Sequence, residues 1–528
     1  MAFIDIELSH SYWESLEINQ EDIDFLYTHL LEKETPSTSE ELVEALISER
    51  IRTERQSLQE KQEKNGEIYL PKLDFEVGQK VQFPAINWIN GEVVGVRQGN
   101  NPEKPTMKVM TVALENGDNR QFATNLEDHR LNEVTTTTDD DEATNENEII
   151  EDFGDEIITK LEEKLDENKD LVRIGAEWFP KSLLIEFNIG HLNLAEAILD
   201  MHGGGPLSVD SLLKEIDIDS DDPEKLIEFS LNNALQEDPR FDEVGPSGVV
   251  QWFLNRLEPE YVRKKPLQLQ FTPIEHDRTA LSEDMLKAEQ KIDDELVELQ
   301  TDTKRKAPAK ETTIVLNYPH WRIGSLPLTH NTRPFFPTAI DSPRVKFSLV
   351  DTAHNEEISA WVVRPFNYIY GLREWYDELE LMPGSIIKIR HGKQPGEVFI
   401  EAAKKRSNRE WIRTLLIGAD GGVVFALLKQ TITADFNERM AIAVPSTEVL
   451  DELWKKSVNN PRPMKDTIIR TMKELAKLNP QGHVHAIELY AALNCVRRCP
   501  PGVLFSILAS NLEFSAVGDL YYRLSNDA

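Results

Sequence analysis

Basic residues and one tryptophan are concentrated near residue 410, and their types are suited to binding nucleic acid. Arginine and lysine neutralise phosphates, and an aromatic ring among them can stack on bases. Residues 301–413 hold eighteen Lys and Arg against thirteen Asp and Glu, whereas the whole chain carries a net charge of −35. If nucleic acid binds anywhere, we expect it to bind here. The predicted contact residues are Lys404, Lys405, Arg406, Arg409, Trp411 and Arg413.

A second basic group precedes this patch and would act as a flexible arm. Its residues are Lys304, Arg305, Lys306 and Lys310, and an Ala-Pro pair follows the first three. For the whole region an alternative stays open, in which the cations are solvated linker residues and Trp411 lies in a core. The sequence supports both interpretations.

Two histidines and two cysteines near the C-terminus have side chains of the kind that hold tetrahedral zinc. They are His483, His485, Cys495 and Cys499. The histidines flank a turn between predicted helices, and the cysteines lie four residues apart near a helix end. Buried thiols and surface imidazoles explain this set without a metal. We therefore predict no metal and no cofactor.

Motifs of common catalytic sites are missing from the sequence. The glycine clusters at 203–205 and 418–422 lack the Gly-Lys-Ser/Thr of a phosphate-binding loop, and no His-Glu-x-x-His, Gly-x-Ser-x-Gly or Cys-x-x-Cys occurs. A metal-dependent nuclease would need a Glu-x-Lys on a core strand. Here Glu162–Lys164 and Glu289–Lys291 lie in polar, helical segments. We expect a protein that is not an enzyme.

Length and composition limit the class of protein. The chain of 528 residues is long enough for several domains, and 40% hydrophobic residues is ordinary for folded ones. Its net charge repels nucleic acid, so any contact needs a local basic face. Two cysteines suit a reducing compartment. Because neither a signal sequence nor a run of eighteen apolar residues occurs, we expect a cytoplasmic protein without membrane contact.

Residues 194–254 contain three helical patterns followed by two extended segments. The first helix ends at the three glycines and the proline of 203–206. Ser208 can cap the second helix, and Pro223 is placed in the first turn of the third. The extended segments flank a Gly-Pro-Ser-Gly turn at 245–248. This order is typical of a winged helix–turn–helix.

The entry to the second helix, the run that leaves the third and the final hairpin carry a family likeness. They read Gly-Pro-Leu-Ser at 205–208, Ala-Leu-Gln-Glu-Asp-Pro-Arg-Phe at 234–241, and Val-Gly at 244–245 with Trp252. About sixty residues here resemble the HARE-type winged helix, also found in the delta subunit of bacterial RNA polymerase. The resemblance implies a winged-helix fold and a link to transcription and chromatin, and HARE modules also occur fused to restriction enzymes.

The same local pattern of a turn, an extended pair and a capped helix occurs three times. The copies begin at Thr35, Gly205 and Gly482, and each has a leucine at its eighth position. These leucines are Leu42, Leu212 and Leu489. The last copy continues with a helix from Pro500-Pro501 to Ser510 and with a hairpin near 514–522. We predict two complete winged helices and a partial N-terminal one.

The third helices of these modules have the wrong charge for reading DNA. A DNA-reading helix offers cations and amides to phosphates and base edges. The helix at 223–237 has an acidic face, and the one at 500–511 has no charge. We therefore expect these modules to contact proteins. The predicted protein-contact residues are Asn232, Asn233, Gln236 and Arg240.

Two further regions have the short strands and turns of small β domains. Residues 74–132 predict four or five strands with an Asn-Gly hairpin turn at 116–117, which suggests an SH3-like barrel. Phe83, Trp88 and Phe122 either bind a ligand there or fill the small core. Residues 312–445 also read as strands, with a short helix at 371–376 and then Leu-Met-Pro-Gly-Ser at 381–385. This helix and turn resemble the B3-like DNA-binding pseudobarrel, although Ser385 replaces the expected acid.

The predicted fold class is a multidomain α+β protein in which winged helices are combined with small β-barrels, SH3-like near the N-terminus and pseudobarrel-like in 312–445. Fifteen acids among 139–170 and a charged run at 275–311 predict linkers. The predicted division is 1–70 helical with a partial helix–turn–helix, 74–132 barrel, 133–170 acidic linker, 171–270 HARE-like winged helix, 275–311 charged helical linker, 312–445 β-rich domain and 446–528 C-terminal winged helix.

These features, together with what the resemblance to the HARE-type winged helix implies, predict a non-enzymatic, bacterial adaptor of transcription or DNA transactions. Its winged helices would contact protein, with RNA polymerase or another DNA-associated complex as the partner, and its basic patch would contact nucleic acid. The acidic tract at 139–170 would compete with nucleic acid for a basic partner. One alternative is a structural or defence-associated assembly subunit that does not bind DNA, and another is a divergent nuclease.

Overall fold

The chain folds as a mixed α+β protein, as the sequence predicts. It divides into two compact units, one of Met1–Ile185 with Asp222–Phe229 and a second of Glu186–Asp221 with Ser230–Ala528. At 10–11, 54–55, 57–65, 68, 139–145, 404–407 and 459 only the backbone is described. The computed structural model describes residues 10–65, 67–83, 86, 89–101, 106–127, 129, 132, 139–216, 218, 222–297, 309–392, 397–419, 421–459 and 462–525.

The first unit contains four helices within the described residues, together with two small sheets. The helices are α1 (His10–Glu14), α2 (Gln20–Lys33), α3 (Ser39–Asn65) and α4 (Asp139–Asp166). The strands are β1 (Ser37–Thr38), β2 (Glu67–Ile68), β3 (Lys80–Phe83), β4 (Ile89–Gln98), β5 (Lys108–Leu114), β6 (Asn119–Thr124), β7 (Leu171–Ile174) and β8 (Glu177–Pro180).

Elements α2, β1, α3, α4, β7 and β8 form one compact group. A capping box starts α2, because the Asn19 side chain accepts from the Asp22 amide at 3.0 Å and the Asp22 carboxylate accepts from the Asn19 amide. The sheet order is β1-β8-β7, and Ser37 lies opposite Trp178. The Trp178 indole donates to Ser39 Oγ at 3.0 Å, so the last strand is fixed to the start of α3.

Helix α4 differs from the prediction of an acidic linker over 133–170. Residues 133–138 lie outside the described part of the chain, but Ile157, Leu161 and Leu165 of α4 are buried in the core of this group. Their spacing of four residues places them on one helix face. The acids cover the other faces and conceal this apolar stripe in the composition. The predicted start of a domain at residue 171 differs likewise, since β7 and β8 complete the sheet of β1.

A five-stranded sheet lies between α3 and α4 in the sequence. Its order is β2-β3-β4-β5-β6, with β2 parallel to β3 and the other neighbours antiparallel. The predicted Asn-Gly turn joins β5 to β6, and Gly117 has a φ of +86° that glycine adopts without strain. Phe83 is buried and stacks on Phe122 at 4.2 Å between centroids, so both rings belong to the small core. Trp88 lies outside the described residues.

The second unit holds most of the remaining elements, and α7 is divided between the units. Its helices are α5 (Ile189–Met201), α6 (Val209–Leu213), α7 (Glu224–Glu237), α8 (Glu260–Arg263), α9 (Glu283–Ile292), α10 (Tyr318–Ile323), α11 (Arg373–Glu378), α12 (Thr447–Asn459), α13 (Met464–Ala476), α14 (Ala486–Val496) and α15 (Pro501–Ser510). Its strands are β9 (Phe241–Glu243), β10 (Trp252–Leu254), β11 (Glu311–Val315), β12 (Ser325–Pro327), β13 (Arg344–Asp351), β14 (Glu356–Val363), β15 (Tyr368–Tyr370), β16 (Ile386–His391), β17 (Val398–Ala402), β18 (Lys404–Ile417), β19 (Val423–Ala434), β20 (Ile442–Ala443), β21 (Val484–His485), β22 (Phe514–Gly518) and β23 (Tyr521–Leu524).

In the first unit α2, β1, α3, α4, β7 and β8 follow the order helix, strand, helix, helix, strand, strand. The same order occurs in two further copies in the second unit. In the central copy Ser208 caps α6 as predicted, and a single bridge joins Leu207 to Trp252 of β10. In the C-terminal copy α13, β21, α14, α15, β22 and β23 follow one another, and the sheet order is β21-β23-β22. Here Val484 lies opposite Tyr522. In all three copies the short first strand pairs with the last one.

The predicted leucines occupy equivalent positions in the three copies. Each lies five residues after the paired residue of its first strand, and each has no exposed surface. The side chain of each lies in the core of its own copy. The three leucines are Leu42, Leu212 and Leu489. The N-terminal copy contains all six elements of the repeated order, and the β2–β6 sheet is inserted between its second and third helices.

Strands β11 to β20 lie between Glu311 and Ala443, where the sequence predicts a β-rich region over 312–445. A seven-stranded sheet has the order β11-β16-β17-β13-β14-β15-β12. The pair β13–β17 is parallel and the other neighbours are antiparallel. A smaller sheet, β19-β18-β20, contains the two longest strands of this region.

Several residues of 275–297 are buried in the core, which differs from the linker predicted over 275–311. Met285 and Ile292 of α9 are buried against the C-terminal helices. Just after α9, the buried Arg498 bridges Asp294 at 2.5 Å and Glu295 at 2.7 Å. Burial opposes ionisation of Glu295, but Arg498 and His320 outweigh it and hold the pKa of this carboxyl well below its usual range. Residues 298–308 lie outside the described part of the chain.

Membrane-spanning helices can be assessed wherever the structure describes the chain. Over those residues, every helix is too short or too polar to cross a bilayer.

Candidate nucleic-acid interface

The predicted basic patch lies on a long β-hairpin formed by β18 and β19. The strands pair antiparallel from Asn408–Ile432 to Ile417–Val423. Branched and aromatic residues favour extended backbone along both strands. At the turn, the Gly418 amide donates to the Gly422 carbonyl at 2.8 Å, and Gly421 has a φ of +76°.

Apolar contacts fix the hairpin to the rest of the second unit. Leu415 and Phe425 lie in the large core that the C-terminal helices share. Ile412 and Ile432 pack with Ala441 in a smaller cluster. The hairpin is therefore held at two places on a rigid support, which is what a binding surface requires.

Trp411 lies on an exposed face of this hairpin. Its relative exposed surface is 63%, which excludes the interpretation that this residue fills a core. Lys429 lies directly opposite on β19, with its Nζ 5.3 Å from the centroid of the indole ring. This is within the range of a cation–π contact. Arg409, two residues before Trp411, is exposed on the same face of the strand and lies opposite Thr431.

The charge of the hairpin is opposite to that of the whole chain. Residues 404–434 contain six Lys or Arg and two acids, in a chain of net charge −35. Lys404, Lys405 and Arg406 lie in β18, but their side chains are outside the described part of the structure. Of the predicted arm, Lys304, Arg305 and Lys306 lie outside the described part, and Lys310 is described and exposed. The described cations next to Trp411 are therefore Arg409 and Lys429; Lys429 is a residue that the sequence prediction missed because it is eighteen positions further along the chain.

Arg413 has a different position from the one predicted. Its side chain is only 14% exposed and forms a 3.0 Å ion pair with Glu488 of α14. Its guanidinium also donates to the Glu438 carbonyl. Arg413 therefore connects the hairpin to the C-terminal helices, and its guanidinium is not presented beside Trp411 as a phosphate contact.

Two of the four predicted protein-contact residues have partners inside their own module. The Trp252 indole donates to Asn232 Oδ1 at 2.7 Å. Arg240 forms ion pairs of 2.7 Å with Asp238 and with Glu196. Side-chain hydrogen bonding to Asp238 is the largest of the effects that raise the pKa of Arg240. These two residues stabilise the central copy.

The other two predicted contact residues of α7 differ in exposure. Asn233 is half-buried, whereas Gln236 is exposed. Gln236 is therefore the most accessible of the four predicted protein-contact residues.

The histidines and cysteines considered for zinc have separate structural roles. His485 caps α14, because its Nδ1 accepts from the Ile487 amide at 3.1 Å, and its other ring nitrogen contacts Arg439. Burial, then the charges of Arg439 and Arg413, lower the pKa of His485 to about 4.

The thiols and the other histidine lie apart from that cap. Cys495 and Cys499 are both buried, and burial raises the pKa of Cys499 to about 12. Their Sγ atoms contact the backbone carbonyls of Ala491 and Pro500. His483 is half-buried, and among the described residues these four side chains do not meet in one metal-ligand cluster.

A cavity of about 350 Å³ lies at the base of the hairpin, beside Thr433 of β19. His354 lines it, with its Nδ1 2.5 Å from the buried carboxylate of Asp351. Glu378 and Glu380 line the same cavity. Two carboxylates on its wall disfavour a phosphate there, so the exposed face near Trp411 is the better candidate for nucleic acid. The Glu-x-Lys triples of the nuclease alternative, at 162–164 and 289–291, lie in helices α4 and α9 and not on a core strand.

No protein-family model, curated protein or solved structure matched this chain.

Proposed function

We propose that this chain is a non-enzymatic adaptor that binds nucleic acid through the β18–β19 hairpin. The observation that supports this most directly is the exposed indole of Trp411 between two cations, Arg409 and Lys429, on the basic hairpin of an acidic protein. Cations supply most of the affinity for phosphates, and an exposed aromatic ring supplies a surface for bases.

We further propose that the three repeated groups are winged helices that contact proteins. Their helix–strand–helix–helix–strand–strand order and the pairing of first and last strands support this fold. The third helices do not suit a DNA groove. Helix α15 is almost entirely buried, and α4 has several exposed acids, including Glu151 and Asp152. The acids of α4 repel phosphates, and the buried α15 cannot reach them. A protein partner therefore suits these modules better than DNA does.

The finer architecture and the biological context belong to the same proposal. The β2–β6 sheet would be an SH3-like barrel and the 312–445 region a pseudobarrel. The resemblance of 194–254 to HARE modules supports a place in transcription or another DNA transaction, with RNA polymerase or a related complex as the partner. A cytoplasmic location would follow.

A binding titration with two charge-matched double variants tests the nucleic-acid role. The full chain is titrated into a labelled oligonucleotide, single-stranded in one series and duplex in another. Arg409→Ala/Lys429→Ala should lower affinity at least tenfold, because two phosphate contacts are lost. The control, Lys455→Ala/Lys456→Ala, removes the same charge from exposed positions of α12 and should change affinity less than twofold. If the wild-type chain binds neither form, the proposal fails and an assembly subunit without DNA binding replaces it.

A further inference from the structure

The exposed face of the hairpin has an unusual chemical composition for a site that reads a DNA duplex. Its central position is an indole, and Leu427 of the opposite strand, which is 44% exposed, lies on the same face. The cations lie around this apolar centre: Lys429 over the ring and Arg409 two residues away. A ribbon that reads a duplex groove would instead place Arg, Lys, Asn or Gln at its centre, because base edges present hydrogen-bonding groups.

We infer that this face is a stacking platform for single-stranded nucleic acid, an inference that rests on the proposed nucleic-acid role of the hairpin. An indole recognises the face of a base, and base faces are accessible only where the strand is unpaired. In a duplex those faces are covered by neighbouring base pairs, and a base must leave the stack before an aromatic ring can contact it.

The cations beside the ring complete the site. The Lys429 ammonium lies near the ring at 5.3 Å, and an exposed contact of this kind is weak enough for a base to displace. The displaced ammonium would remain within reach of the phosphate that follows the base. Arg409 would contact the phosphate on the other side. Stacking tolerates any base, so the site would bind single strands without marked sequence preference.

The test separates bases from phosphates with four probes of equal length. They are oligothymidylate, oligouridylate, an abasic oligodeoxynucleotide with the same number of phosphates, and a DNA duplex. The full chain is titrated with each, as wild type and as Trp411→Ala and Trp411→Phe. Because Trp411 is exposed, both variants should fold, and unchanged thermal unfolding verifies this.

Wild type should bind the two single strands more tightly than the abasic strand and the duplex. Trp411→Ala should weaken binding of the single strands roughly 5-fold to 160-fold, the range expected for one stacked base, and leave the abasic strand unaffected. Trp411→Phe should keep most of the affinity, because the phenyl ring still stacks. A preference for one of oligothymidylate and oligouridylate identifies DNA or RNA as the natural source.

Three outcomes would overturn the inference. If the abasic strand binds as well as oligothymidylate, phosphates alone account for binding. If the duplex binds best and Trp411→Ala has no effect, the hairpin reads a groove. In both cases the nucleic-acid role would stand, provided that Arg409→Ala/Lys429→Ala still weakens binding. If no probe binds, the proposed function fails and the stacking inference fails with it.

Discussion

Arg413 and Glu488 form a 3.0 Å ion pair that joins the basic hairpin to helix α14. Both side chains are mostly shielded from water, at 14% and 25% exposure. The pair gives Arg413 a structural role, whereas nearby cations of the same sequence run, such as Arg409, are exposed and available to bind phosphates. The two roles can be separated by experiment.

Arg413→Ala should destabilise the protein without a marked loss of nucleic-acid affinity. The variant leaves Glu488 and the Glu438 carbonyl without their partner, which costs about 1–3 kcal/mol in the free energy of unfolding. Urea unfolding measures this cost. Arg409→Ala is the matched comparison, because its side chain is exposed and its loss should change affinity and not stability. A larger affinity loss for Arg413→Ala than for Arg409→Ala would reverse these assignments.

Asn232→Ala should lower stability, whereas Gln236→Ala on the same helix should not. Loss of the Asn232 amide leaves the buried indole N–H of Trp252 without its acceptor, at a cost of about 1–3 kcal/mol. Gln236 is exposed, and its removal should stay within about 0.5 kcal/mol. Thermal unfolding of both variants provides the comparison. Equal stability of the two would show that Asn232 is a surface residue available to a partner.

Acid should destabilise the C-terminal group through His485. Its pKa is about 4 in the folded chain against an ordinary value of 6.5, so the unfolded state binds more protons between these values. The contribution of His485 to the free energy of unfolding is therefore fully present above pH 6.5. It is lost as the pH falls towards 4, by at most about 3 kcal/mol.

His485→Asn keeps a cap acceptor for α14 and removes the titrating group. The stability difference between wild type and His485→Asn should therefore shift in favour of the variant when thermal unfolding is measured at about pH 5 instead of about pH 7. A difference that does not change with pH would contradict the assignment.

Arg498→Ala should be the most destabilising of these substitutions. It would leave Asp294 and Glu295 buried without their cation, and breaking a buried ion pair in this way costs about 3–5 kcal/mol. The neighbouring Arg497 donates to a backbone carbonyl and is not fully buried, so Arg497→Ala is the control. Calorimetric unfolding of the two variants is the measurement. If Arg498→Ala and Arg497→Ala lower the free energy of unfolding by the same small amount, the ion pairs of Arg498 do not anchor residues 294–295.

The repeated groups could be predicted in part because local signals mark their second helices. The leucines at 42, 212 and 489 and the cap at Ser208 are properties of short segments. The completeness of the N-terminal copy could not be predicted, because its third helix follows α3 only after the inserted β2–β6 sheet. Pairing of Ser37 with Trp178 is a long-range contact that no local pattern contains.

The two predicted linkers show how charge can conceal a core face. Helices α4 and α9 are rich in charged residues, yet their apolar residues lie on one side and are buried. The composition of a segment counts the residues on all faces of a helix, whereas burial requires only one apolar face.

The candidate site was predictable only as a run of basic sequence. Which cations are presented beside Trp411 depends on the strand register, which adds Lys429 and leaves Arg413 with Glu488.

The salt dependence of nucleic-acid binding tests the central claim most directly. For the full chain, the logarithm of the binding constant is measured against the logarithm of salt concentration, with single-stranded and duplex probes. Each phosphate contact contributes about −0.7 to the slope for single strands and about −0.9 for duplex DNA. Arg409→Ala/Lys429→Ala should therefore make the slope shallower by about 1.4 to 1.8, while Lys455→Ala/Lys456→Ala leaves it unchanged. A wild-type slope near zero, or one that the hairpin variant does not alter, would contradict nucleic-acid binding by this hairpin.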